Sequence, residues 1–338
     1  MRKKGLRYFS AVMGILAAFS AKAQEAAVDY RPEVHGVFRG RWEMALADGS
    51  GRFQVRNARV SIAGKVAPIV SYFVNTDLCD RGKFLFLDAY GRIQLPARFA
   101  VQAGQFRMPF GTDSFRGPGG YFFNNRSFIG KKVNNYRAVG VKADYECGVI
   151  PLTVQAGVFN PTTIDDHTRW VKDYAYAGRL IYHPGDFSFG LGAESIKPDS
   201  VRINLMGVSA GWCSGRWTAE AEYMYRHYTH HTHTATNAWN VFASYAIPLE
   251  HSAFNSWSFQ ARFDGMTALA SGKRAADGSL VTTDAGRNRV TVGSTLDYRY
   301  KAVRMAVRLN YEKYFYGDGV NVTPENDDRL SAELIIKF

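Results

Sequence analysis

The sequence lacks any long apolar run after its first 23 residues. A transmembrane helix needs about 20 consecutive apolar residues, and no later stretch approaches that length. The mean hydropathy of −0.23 resembles that of a soluble protein. A membrane β-barrel shows the same low value, because each lipid-facing residue alternates with one that faces the lumen. The absence of apolar runs therefore excludes a helical membrane protein and leaves a barrel open.

The first 23 residues have the organisation of a secretory signal peptide. A positively charged head precedes the apolar core 12–19, and Ala21-Lys22-Ala23 places small residues at the spacing that a signal peptidase reads. We expect residues 1–23 to be removed and residues 24–338 to form one outer-membrane barrel domain. Loss of the five cations in this segment would lower the formal net charge from +12 to +7.

Cysteine and acidic residues are both in short supply. The three cysteines, Cys79, Cys147 and Cys213, do not form an even framework of the kind found in small secreted domains. Free thiols are expected, and a Cys147–Cys213 disulfide is an open alternative. The 30 acidic residues are outnumbered by 42 Lys and Arg. An exported basic chain favours small anions or lipid headgroups, and not nucleic acid, as its partners.

What the chain does contain is period-two alternation. Successive side chains of a β-strand point to opposite faces, so alternating apolar and polar residues predict strands with two unlike faces. Sixteen strands are predicted, at residues 34–43, 53–66, 70–78, 84–95, 99–107, 138–146, 152–159, 174–182, 187–196, 201–211, 217–226, 238–247, 257–264, 289–298, 303–314 and 329–338. Tilted strands of about 9–11 residues cross a bilayer.

The alternation allows two opposite folds. In a soluble sandwich the apolar face is central, whereas in a membrane barrel it meets lipid and the polar face lines the lumen. The last strand places Phe338 on its apolar face and Glu333 on the other. In the fourth strand, Leu85 and Leu87 are assigned to the apolar face, opposite Asp88. The signal peptide and the aromatic final residue favour the barrel.

Gap lengths between the predicted strands alternate with three exceptions, the short odd-numbered gaps 79–83 and 197–200 and the longer even-numbered gap 248–256. Even-numbered gaps such as 67–69 and 96–98 are short, and odd-numbered gaps include the longest, 108–137 and 265–288. Short periplasmic turns and long outer loops are typical of bacterial outer-membrane barrels with an even strand number. The sequence therefore predicts an all-β transmembrane antiparallel barrel of about sixteen strands.

The gap 108–137 is the candidate for selectivity. It is rich in cations, and Asp113 is its only acid. A third outer loop folded inward would narrow the pore, where clustered cations attract anions. The alternative is an outward loop that binds lipopolysaccharide. The candidate constriction residues are Arg107, Arg116, Arg126, Lys131, Lys132 and Arg137.

Several segments resemble, in the same order, the phosphate-selective porin O and P family. They are residues 53–65, 88–90, 102–111, 125–127, 137–141 and 157–160, and the most specific is G-Q-F-R-M-P-F-G at 104–111. The resemblance implies an outer-membrane porin without a cofactor, a homotrimer that conducts small anions such as phosphate. Arg56 and Arg59 match basic positions of the family's second-strand segment. Further lumen-lining candidates on the polar faces of the predicted strands are Arg39, Arg41, Arg92, Arg304 and Arg308.

Two other patterns point to different chemistry. His227, His230, His231 and His233 share one outer gap, and such imidazoles can bind a divalent metal such as zinc. Residues 207–211 fit G-x-S-x-G, but they fall inside a predicted strand and not at a strand-to-helix elbow. The alternative functions are a less selective porin for small polar nutrients and an outer-membrane hydrolase. No catalytic residue is assigned.

Overall fold

The computed structural model describes residues 28–161, 168, 170–250, 252–317, 320, 322–324 and 327–338. The predicted signal peptide, residues 1–23, lies outside the described residues. Within them, no helix is long and apolar enough to cross a membrane. The three cysteines are free, so the alternative of a Cys147–Cys213 disulfide is wrong.

The described chain is built almost entirely from antiparallel strands. Their bounds are β1 (Glu33–Ala45), β2 (Gly51–Ala67), β3 (Val70–Asp80), β4 (Lys83–Gln94), β5 (Phe99–Arg107), β6 (Arg137–Glu146), β7 (Leu152–Phe159), β8 (Ala175–Tyr182), β9 (Phe187–Ile196), β10 (Ile203–Ser214), β11 (Trp217–Tyr228), β12 (Thr236–Pro248), β13 (Ser256–Met266), β14 (Leu269–Arg274), β15 (Leu280–Asp284), β16 (Arg287–Tyr300), β17 (Val303–Tyr316) and β18 (Arg329–Lys337).

Sixteen of these described strands form one closed barrel. Neighbours in the chain pair with each other, β18 pairs with β1, and β13 pairs directly with β16. Strands β14 and β15 form a separate hairpin. The predicted sixteen-stranded antiparallel barrel is confirmed, and every predicted strand lies within three residues of its observed bounds. The β14–β15 hairpin, which lies in the gap 265–288, is absent from the sequence prediction.

The seam between β1 and β18 closes on the final aromatic residue. Gly36 N donates to Phe338 O at 2.9 Å, and Phe338 N donates to Gly36 O at 3.1 Å. The Phe338 ring covers Gly36 so closely that a Cβ at Gly36 would lie 2.2 Å from the ring. A side chain at position 36 would therefore displace the aromatic ring from the seam.

Burial separates the two faces of the wall as the barrel prediction requires. Arg39, Glu222 and Arg308 are almost fully buried on the lumen side, whereas Val241 and Leu309 are exposed on the outer side. In a soluble protein the charged residues would be outside. The inverted pattern is that of a wall with lipid outside and a polar lumen.

Strand β4 departs from the predicted faces. The β3–β4 register shifts between the pairs Asn75–Asp88 and Thr76–Phe86, so Leu87 is an extra residue in a bulge. A bulge of this kind re-aims the side chains on one side of it. Leu85 and Leu87 consequently line a cavity inside the barrel, and their assignment to the lipid face is wrong.

Gly104 gives the first testable prediction. Its φ is +135°, and a Cβ there would lie 2.2 Å from Ala89 O. Gly104→Ala should lower the free energy of unfolding by about 2 kcal/mol or more, because strain and a backbone clash add together. The measurement is the urea midpoint at which the folded barrel loses its fast migration on a gel.

Gly91→Ala is the matched control. Gly91 lies on the neighbouring strand, and a Cβ there meets no atom within 4 Å. Its urea midpoint should stay close to that of the wild type. Equal midpoints for the two variants would contradict the strain at Gly104.

Candidate functional site

Residues 108–136, here called loop 3, connect β5 to β6 and hydrogen-bond to side chains on the lumen face. Thr112 N donates to Glu222 Oε1 at 2.6 Å, and Phe128 N donates to Asp264 Oδ2 at 3.0 Å. Both carboxylates are buried, on β11 and β13. Backbone N–H groups of loop 3 thus find their hydrogen-bond acceptors on the barrel wall.

An apolar cluster packs loop 3 against one side of the wall. Phe110 and Ile129 of the loop are fully buried together with Leu205 of β10 and Met224 of β11. A Cβ at Gly192 would lie 2.9 Å from the Phe110 ring, so a small residue is needed there for the ring to fit. These inward-facing apolar residues break the rule that lumen positions are polar.

Several aromatic rings of loop 3 stack on guanidinium groups of the wall. Among these pairs are Arg39 over Tyr121 at 4.9 Å, Arg262 over Phe123 at 4.5 Å and Arg289 over Phe128 at 4.6 Å, from guanidinium carbon to ring centroid. A desolvated cation–π contact of this kind contributes about 2 kcal/mol. The rings therefore help to fix the loop on the wall.

Several wall arginines are already neutralised by carboxylates. Arg39 Nη2 lies 2.7 Å from Glu333 Oε1, and Arg289 Nη2 lies 2.8 Å from Asp264 Oδ2. All four side chains are almost fully buried. Both pairs join neighbouring strands of the wall, and breaking either pair would leave an uncompensated buried charge.

A cavity of about 380 Å³ lies between loop 3 and the wall, and its lining is strongly basic. Fourteen Lys or Arg residues and three acids line it. Nine predicted candidates are among them: Arg39, Arg41, Arg56, Arg59, Arg107, Arg126, Lys131, Lys132 and Arg137. The structure therefore brings most of the predicted cations to one place.

Four predicted cations do not line this cavity. They pair with carboxylates elsewhere on the wall: Arg92 with Asp144, Arg116 with Glu220, Arg304 with Asp297 and Arg308 with Glu333. Among them, Arg116 belongs to loop 3 but packs between Phe122 and Phe242. Its cation is therefore held against the wall.

Five cavity cations escaped the sequence prediction. They are Arg52, Arg81, Arg287, Arg289 and Arg329. Arg287 and Arg289 share the lumen face with the buried Thr291. The alternation of faces, extended to the first residues of this strand, would therefore have predicted both arginines as lumen residues. Arg81 lies in the turn after β3, where alternation carries no signal.

Three cavity cations form no ion pair among the described residues: Arg107, Arg126 and Lys131. Asn135 Oδ1 accepts from Arg107 Nη1 at 2.7 Å and from Arg126 Nη1 at 3.2 Å, which holds the two guanidiniums side by side. Burial lowers the pKa of Lys131 to about 8, and the positive charges of Arg56 and Arg81 contribute. We call these three residues the free cation cluster.

The G-x-S-x-G segment and the histidine cluster both lack the surroundings that their alternative functions need in the described part of the chain. Ser209 of the G-x-S-x-G segment lies within β10, and its hydroxyl is 2.8 Å from the Thr112 hydroxyl of loop 3. In the candidate histidine cluster, His233 Nε2 lies 3.3 Å from Thr282 Oγ1. Over the residues that the structure describes, no group of three His, Cys, Asp or Glu is placed to hold a metal.

Anchoring of loop 3 by Asp113 gives the second prediction. Ser127 Oγ donates to Asp113 Oδ2 at 2.6 Å. Burial raises the pKa of the Asp113 carboxyl, but Arg126, Arg116 and the Ser127 hydroxyl together lower it below its usual 3.8. The stabilisation is therefore present at neutral pH and is lost as the pH falls through this lowered pKa.

Asp113→Asn at neutral pH should loosen the loop by about 2 kcal/mol, because the Arg116 guanidinium loses its ion pair with Asp113. The measurement is the frequency of brief closures in single-channel current records, which should rise. Asp48→Asn in the exposed turn after β1 is the control. Identical records for both variants would contradict the anchoring role.

Known proteins were compared with both the sequence and the fold. The model of the phosphate-selective porin O and P family matches residues 43–195. No match was found among curated protein sequences.

Similar solved structures are porins and related outer-membrane channels. An anion-selective porin from Comamonas acidovorans is 13% identical with a TM-score of 0.62, over 91% of this chain and 99% of that one. The outer membrane channel DcaP of Acinetobacter baumannii is 12% identical with a TM-score of 0.61, over 94% and 100%. OmpT of Vibrio cholerae, in a trimer form, is 12% identical with a TM-score of 0.61, over 91% and 98%.

The barrel, its polar lumen and these matches agree with one another. At such low identity the solved structures establish the fold, and the family match adds the sequence evidence over residues 43–195. Residues 43–195 match the model of the phosphate-selective porin O and P family, and together with the porin fold this match supports an outer-membrane porin channel.

Proposed function

We propose that the barrel is a passive channel for small anions, phosphate among them, and that loop 3 forms its constriction. Loop 3 contacts the lumen face of the wall at Glu222 and Asp264. The cavity beside it is where a solute would meet the highest density of cations. Loop 3 therefore supplies one side of the conduit and the arginine-rich wall the other.

The observation that carries this proposal is the free cation cluster. A cation paired with a buried carboxylate contributes little net field, whereas Arg107, Arg126 and Lys131 have no ion-pair partner among the described residues. At a constriction with low-dielectric walls, uncompensated positive charge attracts anions and repels cations. The sign of the selectivity follows from this imbalance.

The geometry of the cluster also suits oxyanions. Arg107 and Arg126 both donate to Asn135 Oδ1, so their planar guanidiniums are held close together with further N–H groups available. A guanidinium fork matches the oxygens of a phosphate or a carboxylate. Lys131 adds a further positive charge to the lining of the cavity. A tetrahedral or planar oxyanion would find donors from more than one side.

The remaining features of the proposal have different support. The family match and the porin-like neighbours favour a channel over an enzyme, and the structure places Ser209 in a strand without a nucleophile elbow. A homotrimer is proposed because the Vibrio cholerae OmpT neighbour is described in a trimer form. Lipopolysaccharide is the proposed outer-leaflet partner, and residues 1–23 are the proposed export signal.

Neutralising the free cation cluster gives the third prediction. Arg107→Gln, Arg126→Gln and Lys131→Gln together should lower the anion-to-cation permeability ratio roughly five- to tenfold, because three uncompensated charges leave the conduit. The measurement is the zero-current potential across a planar bilayer in a potassium chloride gradient.

The control removes the same charge elsewhere. Lys65, Lys83 and Lys301 are exposed and do not line the cavity, so their change to Gln should leave the potential almost unaltered. A wild-type channel that prefers cations, or an unchanged potential in the cluster variant, would overturn the proposed function.

The lowered pKa of Lys131 gives the fourth prediction. Since the pKa is about 8, the ammonium is charged below this pH and becomes neutral as the pH rises through it. Anion preference should therefore fall between about pH 7 and pH 9. The test uses chloride, whose charge does not change with pH.

Lys131→Arg keeps its charge throughout this range and should reduce the pH dependence. A wild-type permeability ratio that is the same at pH 7 and pH 9 would show that the Lys131 ammonium does not act in the conduit.

A further inference from the structure

The β14–β15 hairpin is fastened over the inner side of the wall next to loop 3. Tyr228 at the end of β11 binds Ala270 of β14 twice, with Ala270 N donating to Tyr228 Oη at 3.0 Å and Tyr228 Oη donating to Ala270 O at 3.2 Å. Leu269, Ala270 and Leu280 are buried in the apolar cluster that also holds loop 3. The hairpin is therefore a packed part of the structure.

Arg226 of β11 joins the hairpin and loop 3 directly. Its guanidinium donates to Val133 O of loop 3 at 3.2 Å and to Ala270 O of the hairpin at 3.1 Å. It also donates to the Tyr136 hydroxyl at 2.7 Å. One buried arginine thus fixes the distance between the two segments. A residue at the base of the hairpin is held against loop 3 by this clamp.

That residue is Asp284, the last residue of β15. Its carboxylate lies 2.9 Å from Lys132 Nζ of loop 3 and pairs with Arg287 at the start of β16. The Asp284 side chain is 13% exposed, against 39% for Lys132. Both line the basic cavity. An acid from an outer hairpin therefore reaches into the cation-rich conduit.

The other two acids of the cavity lining have different partners. Glu43 pairs with Arg41 and Arg329 of the wall, and Asp80 pairs with Arg56. Asp284 differs from these acids because it pairs with a lysine of loop 3 as well as with Arg287 of the wall. Lys132 differs in this way from its neighbour Lys131, which belongs to the free cation cluster. The hairpin thus sets the number of loop 3 cations that have no ion-pair partner among the described residues.

We propose that Asp284 is a specificity-determining residue that limits the anion preference of the channel by neutralising Lys132. The inference rests on the proposed function, because it assumes that loop 3 cations select the solute. It assigns the outer hairpin a role in selectivity, with inorganic anions such as chloride and phosphate as the solutes affected.

The test is Asp284→Asn in the full-length protein, reconstituted in planar bilayers. The anion-to-cation permeability ratio should rise about two- to fivefold at ~0.1 M salt, because Lys132 and Arg287 both lose their counter-charge. Asp277→Asn is the matched control, since Asp277 lies at the exposed hairpin tip and bonds only to Ser279 among the described residues. Its ratio should equal that of the wild type.

A double variant separates the charge effect from misfolding. Asp284→Asn with Lys132→Gln restores the formal charge of the cavity, so its permeability ratio should return to the wild-type value. Fast migration on an unheated gel shows that each variant has folded as a barrel. A ratio that stays raised in the double variant would overturn the role of Lys132.

The outcomes also distinguish this inference from the proposed function. If Asp284→Asn leaves the ratio unchanged or lowers it, while the free cation cluster variant loses anion preference, the inference is wrong and the proposed function stands. If the cluster variant shows no change either, the proposed function itself is wrong.

Discussion

Backbone hydrogen bonding inside the membrane is the constraint on which the rest of this structure depends. No water is available in the hydrocarbon region to satisfy an exposed N–H or C=O, so spanning strands must pair on both edges. The described chain meets this requirement by pairing β18 with β1. Closure in turn forces every second side chain into an enclosed lumen. The many charged residues of the lumen face, and the need to compensate most of them, follow from this geometry.

Compensation of these charges divides the basic residues into two groups. Arginines such as Arg39 and Arg289 are paired with carboxylates and stacked on loop 3 rings, and they hold the constriction in shape. Arg107, Arg126 and Lys131 have no ion pair among the described residues, and they are the charges offered to a solute. The number of cations in the lumen is thus a poor measure of selectivity, because most of the positive charge is already neutralised within the wall.

The barrel could be predicted from the sequence because its signal is local. Period-two alternation and gap lengths located all sixteen barrel strands, including β5, β7 and β9 with their observed bounds. For the candidate site, the sequence predicted which kinds of residue line it, but not which of its cations form ion pairs. Which cations are paired depends on contacts between distant residues, such as Arg39 with Glu333, 294 residues apart. The bulge at Leu87 and the β14–β15 hairpin also escaped prediction, since the first changes face within an alternating run and the second lies in a polar loop.

The seam at Gly36 and Phe338 has a consequence for the order of assembly. Strand β1 gains its second neighbour when β18 pairs with it. Until then, one edge of β1 has no partner strand. The β1–β18 contact has the greatest sequence separation of the described strand pairs, and long-range pairings form slowly. During biogenesis the growing sheet therefore carries two open edges, which are the surfaces most prone to aggregation. Protection of these two edges until β18 pairs with β1 therefore favours correct assembly.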